Sequence, residues 1–409
     1  MILCRFGEPC VLLGLVFGLL LFLSVRADGE ASVTVDADFP GGNAVVEKID
    51  GDQVQLHQDL RDTQGTWFWW HFRARGAAGR TLTFQFSKGD VIGVRGPAVS
   101  TDGGKTWAWL GKEAVKGASF RYAFAADAQE VRFCFAMPYF EANLREFLKP
   151  YAANPGLKLL TLCKSRKGRE VERLVVGRLE DQPDARVLIT CRHHCCECMA
   201  SYAVEGIIES ALADSDDGKW FRGHVEMMII PFADKDGVED GDQGKNRRPR
   251  DHNRDYLGES IYPETAALRE LVPAWSGGRL RAALDLHCPH IRGTHNEVIY
   301  IVGSESKAIW EQQERFGGIL EAVQTGPLAY RAKDNLPFGK AWNTGGNYSG
   351  GKSSSRWAGE LPGVALATSF EIPYANAAGG VVTAESARAF GRDLAKALRR
   401  YLEALGPAK

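Results

Sequence analysis

Thr190-Cys191-Arg192-His193-His194-Cys195-Cys196-Glu197 is the segment from which the rest of the chain can be placed. It follows the apolar run Val187-Leu188-Ile189 and opens the amphipathic segment Met199 to Leu212, so it reads as the turn of a strand–turn–helix unit. Two imidazoles, a carboxylate and, with Cys198 just beyond, four sulfurs have little use at the exit of a buried strand. A divalent transition metal uses those donor types.

Outward from this turn the pattern alternates between strands and helices. Apolar runs stand at Arg186 to Thr190, Val225 to Ile230, Ala282 to Leu286, Val298 to Val302 and Val364 to Ile372. Helical periodicity appears at Met199 to Leu212, Thr265 to Val272, Ser306 to Val323 and Ala384 to Leu405. This is an α/β pattern with a sheet covered on both faces, and ligand sites in such sheets gather beyond the carboxyl ends of strands. Three polar clusters lie at such ends: His194-x-x-Glu197, Asp285-Leu286-His287 and Phe370-Glu371. Two imidazoles and one carboxylate leave an open position on zinc, the arrangement of a catalytic site. Glu371 has apolar neighbours that would raise its pKa toward that of a general base. Taken singly, a capping carboxylate or solvated histidines explain each cluster; their coincidence favours the metal site. The polar loop Asp234 to Asp255 is longer than a connector needs to be, which makes it a functional candidate.

From about Ala31 to Tyr139 the reading is all-β, with runs such as Trp67 to Phe72, Thr81 to Phe86 and Val131 to Ala136 set between Gly, Asp and Asn turns. A β-sandwich over residues 31–139 is expected, followed by an α/β domain over residues 140–406. The aromatics of Trp67 to Phe72 read as core more readily than as a binding platform. Before them, Arg5 precedes an apolar run of 15 residues from Val11 to Val25 and the small-residue site Val25-Arg26-Ala27. Residues 1–27 therefore read as a secretory signal peptide and the protein as secreted or periplasmic, the run being short for an uncleaved anchor. The leader holds Cys4 and Cys10 of nine cysteines, and five of the other seven crowd the candidate metal residues, so no disulfide scaffold is suggested. A formal net charge of -1 over 409 residues gives no basic footprint for nucleic acid or an anionic membrane. Nucleic acid and stable membrane association after cleavage are excluded as partners on this reading.

These residues resemble the zinc carboxypeptidases of the carboxypeptidase A superfamily, and within it the cytosolic carboxypeptidase-like branch with an N-terminal β-sandwich. The resemblance runs through Thr66 to Phe72, Ala136-Met137-Pro138-Tyr139, His194-x-x-Glu197, Asp236-Gly237, Asp251-His252-Asn253-Arg254-Asp255, Asp285-x-His287 and Glu371. It implies a mixed-sheet αβα catalytic domain, one zinc per chain held by His194, Glu197 and His287, and hydrolysis of a C-terminal peptide bond with Glu371 as general base. The substrate would be a peptide or protein C-terminus. Asn253 and Arg254 would grip its terminal carboxylate, because a guanidinium fork matches a carboxylate bidentately. An arginine would polarise the scissile carbonyl. Arg247 is the candidate, six residues before Asn253, with Arg248 and Arg250 as competitors. Tyr348, 23 residues before Glu371 in a Gly-rich loop, would cap the substrate. Arg356, 15 residues before Glu371, suggests a preference for acidic terminal residues.

Cys195-Cys196 stands where the family usually has Pro-Gly, and Cys288 where it has Gly. Thiolate ligation is the competing possibility, but adjacent turn residues point different ways and no matched Cys-x-x-Cys pairs exist. His193, His290 and His295 are then accessory, and His252 supports the carboxylate-binding loop. Two other functions fit the pattern. One is a zinc amidase or deacylase acting on cell-wall peptides or N-acyl amino acids; the other is an inactive glycan- or peptide-binding module.

Overall fold

The computed structural model describes residues 32–407 apart from residue 181. The expected leader lies outside the described residues. Ten short strands come first: β1 (Thr34–Asp36), β2 (Val45–Asp50), β3 (Gln53–His57), β4 (His71–Arg75), β5 (Thr81–Phe86), β6 (Ala98–Ser100), β7 (Ala108–Trp109), β8 (Val115–Lys116), β9 (Ser119–Ala123) and β10 (Glu130–Cys134). They form two five-stranded sheets, β1-β4-β10-β6-β7 and β2-β3-β5-β9-β8. Phe72 and Phe133 of the first meet Phe84 and Phe120 of the second, with ring centroids 5.2 Å apart for Phe72–Phe84 and 5.3 Å for Phe120–Phe133. Alternation along β5 sends Leu82, Phe84 and Phe86 inward while Thr81 and Gln85 face water. The two sheets therefore close over one aromatic core, as a sandwich does.

Helix α1 (Glu141–Leu148) leads into a seven-stranded mixed sheet. Its strands are β11 (Leu157–Lys164), β12 (Glu170–Gly177), β13 (Ala185–Cys191), β14 (Val225–Ile230), β15 (Leu280–His287), β16 (Tyr300–Val302) and β17 (Leu366–Glu371), in the order β11-β12-β14-β13-β15-β17-β16. The four central strands run parallel and the flanking ones antiparallel. The runs expected from sequence become β13 to β17. Neither β11 nor β12 was expected, nor were α1, α3 (Asp216–His224) and the short α4 (Lys235–Asp240).

Helices α2 (Met199–Leu212), α6 (Lys307–Val323) and α8 (Ala384–Leu405) cover one face with Val187, Ile189, Leu284 and Leu286 beneath them. The other face carries α5 (Pro263–Ser276) and α7 (Ser354–Ala358) over Leu188, Met228, Ile230 and Ala283. This is the expected αβα layering. At the crossing of α2 and α8, a Cβ on Gly206 or Gly391 would fall 2.0 Å from the carbonyl oxygen of Arg388 or Ala203, so backbone packs on backbone there. The chain reverses direction across the sheet at β13, whose neighbours are β14 on one side and β15 on the other. Open α/β sheets bind ligands at such a switch point, beyond the strand ends.

Candidate metal and catalytic centre

The turn after β13 owes its shape to Arg192. Its φ of 62° is left-handed, and its fully buried guanidinium donates to the carbonyls of Cys195 and Tyr139 and to Ser201 Oγ. With the backbone pinned in this way, His193 and His194 point to different partners. His194 Nδ1 lies 3.0 Å from Glu197 Oε1 and His287 Nδ1 lies 2.7 Å from Glu197 Oε2. Both Nε2 atoms face carboxylates behind them: Asp285 at 2.7 Å from His287 and Asp251 at 3.7 Å from His194.

Two groups of donors among the described residues have the spacing to hold an ion: His194, Glu197 and His287, or His193, Asp285 and His287. Hydrogen bonding separates them. Asp285 accepts from Thr190 Oγ1 at 2.8 Å and faces His193 Nδ1 at 2.8 Å and His287 Nε2 at 2.7 Å, so its oxygens are engaged. His193 has its other nitrogen 2.7 Å from the Tyr256 hydroxyl. That is a carboxylate orienting imidazoles, the arrangement found behind metal-bound histidines. At the first group the Lys245 ammonium stands 2.6 Å from Glu197 Oε1, so a positive charge already completes that carboxylate's surroundings. The donor set and the stand-in cation fit a divalent metal at His194, Glu197 and His287.

The cysteines occupy neither group. Cys195 donates to the Asp242 carbonyl at 3.0 Å, Cys196 lies 3.8 Å from the Tyr374 hydroxyl, and all seven described cysteines are free. Burial pushes the Cys191, Cys196 and Cys198 thiols up to about 12, which keeps them protonated. They act as small buried hydrophobes.

Register sets the remaining catalytic geometry. His287 on β15 is paired with Glu371 on β17, which is paired with Tyr300 on β16, so the three form one row across the sheet. A cavity of about 370 Å³ opens over this row. Glu371 is almost fully buried, and its Oε2 has no hydrogen-bond partner. Burial, opposed by the Lys245 ammonium and reinforced by Glu197, raises its pKa to about 7. A carboxylate in this state can take a proton at neutral pH and return it.

Asn253, Arg254 and Tyr348 line the same cavity. Asn253 Oδ1 accepts from the Ser354 amide at 2.9 Å and its Nδ2 lies 3.1 Å from His287 Nε2. Arg254 donates to the carbonyls of Asn347 and Asn253, and its guanidinium lies 5.1 Å from the Tyr348 ring. The Tyr348 hydroxyl donates to Asn343 Oδ1 at 3.1 Å. His252 is stacked 3.6 Å from the Tyr262 ring, between Asp234 and Glu264, where it buttresses this loop.

The arginines expected to polarise the carbonyl lie elsewhere. Arg247 is clamped by Asp62 at 2.9 Å, Asp234 at 2.6 Å and Asp242 at 2.7 Å, and three carboxylates hold its charge away from the cavity. Arg250 pairs with Asp255 and donates to the Glu259 backbone carbonyl, and the Arg248 backbone N–H donates to the Asp62 carbonyl. Besides Arg254, the cation on the cavity wall is Lys245. Gly244, at a φ of +81°, delivers it: a Cβ there would fall 2.5 Å from the Cys195 amide, so only glycine lets this loop lie against the metal turn. The excess of aspartates around Arg247 was the sequence signal that this arginine was already engaged.

Arg356 also lies off the main cavity. Its guanidinium is 3.6 Å from the Tyr348 ring centroid and 3.2 Å from Glu305, in a smaller adjoining cavity. Trp67 departs from expectation in the other direction. Phe68 to Phe72 are core, but Trp67 reaches out to the cavity, with the Lys245 ammonium 5.3 Å above its ring. His290 lines the cavity beside it, whereas His295 lies behind Tyr300.

No protein-family model matches the chain. In sequence it is similar to cytosolic carboxypeptidase 2 of Danio rerio, 27% identical over 50% of this chain and 33% of that protein. It is likewise similar to cytosolic carboxypeptidase 3 of Mus musculus, 24% identical over 48% of this chain and 21% of that protein. The chain thus spans about a third or less of these relatives' length. Its fold is that of a metallo-carboxypeptidase from Burkholderia cenocepacia (TM-score 0.74, 19% identity, 92% of this chain and 100% of that one). The metallo-carboxypeptidase from Pseudomonas aeruginosa solved with (2-guanidinoethylmercapto)succinic acid shares it (TM-score 0.72, 20% identity, 91% of this chain and 100% of that one). Among the described residues no helix is long and apolar enough to cross a membrane.

Proposed function

We propose that this relative of the zinc carboxypeptidases hydrolyses the C-terminal peptide bond of a peptide or protein, with His194, Glu197 and His287 holding one zinc ion. The observation that carries the reading is the convergence of two Nδ1 atoms on Glu197, with a buried, unpartnered Glu371 carboxylate across the same cavity. Zinc at this position supplies Lewis-acid polarisation of the scissile carbonyl and a lowered pKa for water.

The chain's own groups do the rest. Glu371 takes a proton from the attacking water as its oxygen bonds to the carbonyl carbon. It hands that proton to the amine nitrogen as the C–N bond breaks. Lys245 donates to the carbonyl oxygen as negative charge develops there, the part expected of Arg247. Arg254 and Asn253 hold the terminal carboxylate, and Tyr348 closes over it.

We set aside the acidic preference expected from Arg356 in favour of a positioning role. A guanidinium paired with Glu305 and stacked on Tyr348 offers a substrate no uncompensated charge, and Arg356 instead braces Tyr348. A boundary near Tyr139 between sandwich and catalytic domains, and export through the leader read at residues 1–27, complete the proposal.

Glu371→Gln tests the core of it. The variant should bind zinc like the parent and lose about 10²- to 10⁴-fold in kcat. Parental turnover in this variant would remove Glu371 from the mechanism.

A further inference from the structure

Tyr300 is a buried phenol that the proposed reaction does not use. Its side chain is fully buried, it lines the cavity, and its hydroxyl has no hydrogen-bond partner among the described residues. Unpaired buried hydroxyls are costly and rare, so this one is a donor free to meet an acceptor that enters the cavity. The Trp342 indole approaches it from the rim without closing a bond of normal geometry.

Register places the phenol. Across the sheet the row runs His287, Glu371, Tyr300, so Tyr300 lies on the far side of the base from the metal ligands. One pleat deeper, Val302 pairs with Ser369, and both line the same cavity. A substrate whose scissile carbonyl lies at the metal ligands and whose carboxylate lies on Arg254 leaves this hollow to its terminal side chain. The groups there are neutral: the Tyr300 and Ser369 hydroxyls, Val302 and the Trp342 indole. The cavity's cations, Lys245 and Arg254, belong to the scissile carbonyl and the terminal carboxylate. A side-chain carboxylate would sit uncompensated beside Glu371, and an ammonium would pair with the base and disable it.

We infer that Tyr300 selects a neutral terminal side chain ending in a hydrogen-bond acceptor, a carboxamide of the Gln or Asn type. The inference rests on the carboxypeptidase reading and names its substrate class. The Tyr300 O–H donates to the amide oxygen, while Val302 packs on the methylenes.

The test uses the zinc-loaded full chain and peptides identical except for a terminal Gln, Glu, Met or Lys. One hydrogen bond to a neutral acceptor corresponds to roughly a tenfold advantage in kcat/KM for Gln over the isosteric Met. A larger advantage is expected over Glu and Lys. In Tyr300→Phe the Gln-to-Met ratio should fall toward one. The inference is overturned if Met or Glu is released as fast as Gln, or if Tyr300→Phe slows every peptide equally, which would make Tyr300 a partner of Glu371 instead. Calorimetric binding of free glutamine against free methionine gives a second readout that needs no turnover and no variant. Tighter binding of glutamine supports the inference and equal binding overturns it. Release of no residue from any peptide would instead defeat the carboxypeptidase reading, and the binding comparison would still decide what Tyr300 recognises.

Discussion

His71 and His287 are both fully buried imidazoles at the end of a β-strand, one opening β4 in the sandwich and the other closing β15 in the mixed sheet. Their surroundings differ completely. His71 lies in an aromatic box, stacked on Phe140 with centroids 5.7 Å apart and edged by Phe39, Trp69 and Trp107, and neither ring nitrogen has a partner. Burial, with help from Arg132, lowers its pKa to about 3. His287 has a carboxylate on each nitrogen, and Asp285 and Glu197 oppose the desolvation and hold its pKa well above the ordinary value. A histidine is read as functional or structural from the polar groups that its fold supplies, since burial is common to both.

The comparison breaks most sharply at the ligands. His287→Ala should abolish zinc binding and peptidase activity together, while His71→Phe should keep both; zinc content by elemental analysis decides it. Retained zinc in His287→Ala would transfer the site to other donors. Lys245 is next, because it stands where the two regions meet, between Glu197 and the Trp67 ring. Losing one donor to a developing oxyanion costs about 10²- to 10³-fold in kcat. Lys245→Ala should show that loss with KM little changed, and Lys245→Arg should recover part of it. A change confined to KM would make Lys245 a binding group only. Asp285→Asn should be milder, weakening zinc affinity by about 10- to 100-fold in a chelator competition, the cost of removing a carboxylate behind a metal-bound histidine.

Periodicity explains what the sequence revealed of the fold. Strands β13 to β17 and helices α2, α6 and α8 are apolar on the faces they bury, so each announced itself. Strand β11 did not, because it forms the sheet edge, with Leu159 and Leu160 substantially exposed among lysines. Helices α1 and α3 are short and polar outside, and their few buried residues, Leu144, Leu148 and Phe221, make no readable stripe. At the site, residues fixed by strand ends stand close together: His194, His287 and Glu371 line one cavity, and both histidines meet the buried Glu197. Residues carried by loops are not fixed in that way. Three nearby arginines drew attention from Lys245, whose position depends on the turn at Gly244 and on the distant Glu197 and Trp67 that it meets. Tyr300 was invisible because only strand register sets it beside Glu371.

The smallest expected effect belongs to the sandwich and isolates His71. The unfolded imidazole titrates near 6.5 and the folded one near 3, so the unfolded chain takes up this proton first as pH falls. The stability linked to neutral His71 is whole above about pH 6.5 and is lost progressively as pH falls toward 3. By pH 5 the gap of roughly 1.5 pH units from the unfolded value corresponds to about 2 kcal/mol. His71→Phe keeps the aromatic box and removes the proton site, so its unfolding free energy should fall by about 2 kcal/mol less than the parent's between pH 7 and 5. Denaturant titrations at the two pH values measure that difference directly, free of any constant packing cost of the larger ring. Equal pH dependence in the two proteins would mean that the His71 imidazole can be charged in the folded state. The aromatic box would then be wetter than its geometry implies, and the contrast with His287 would be one of degree.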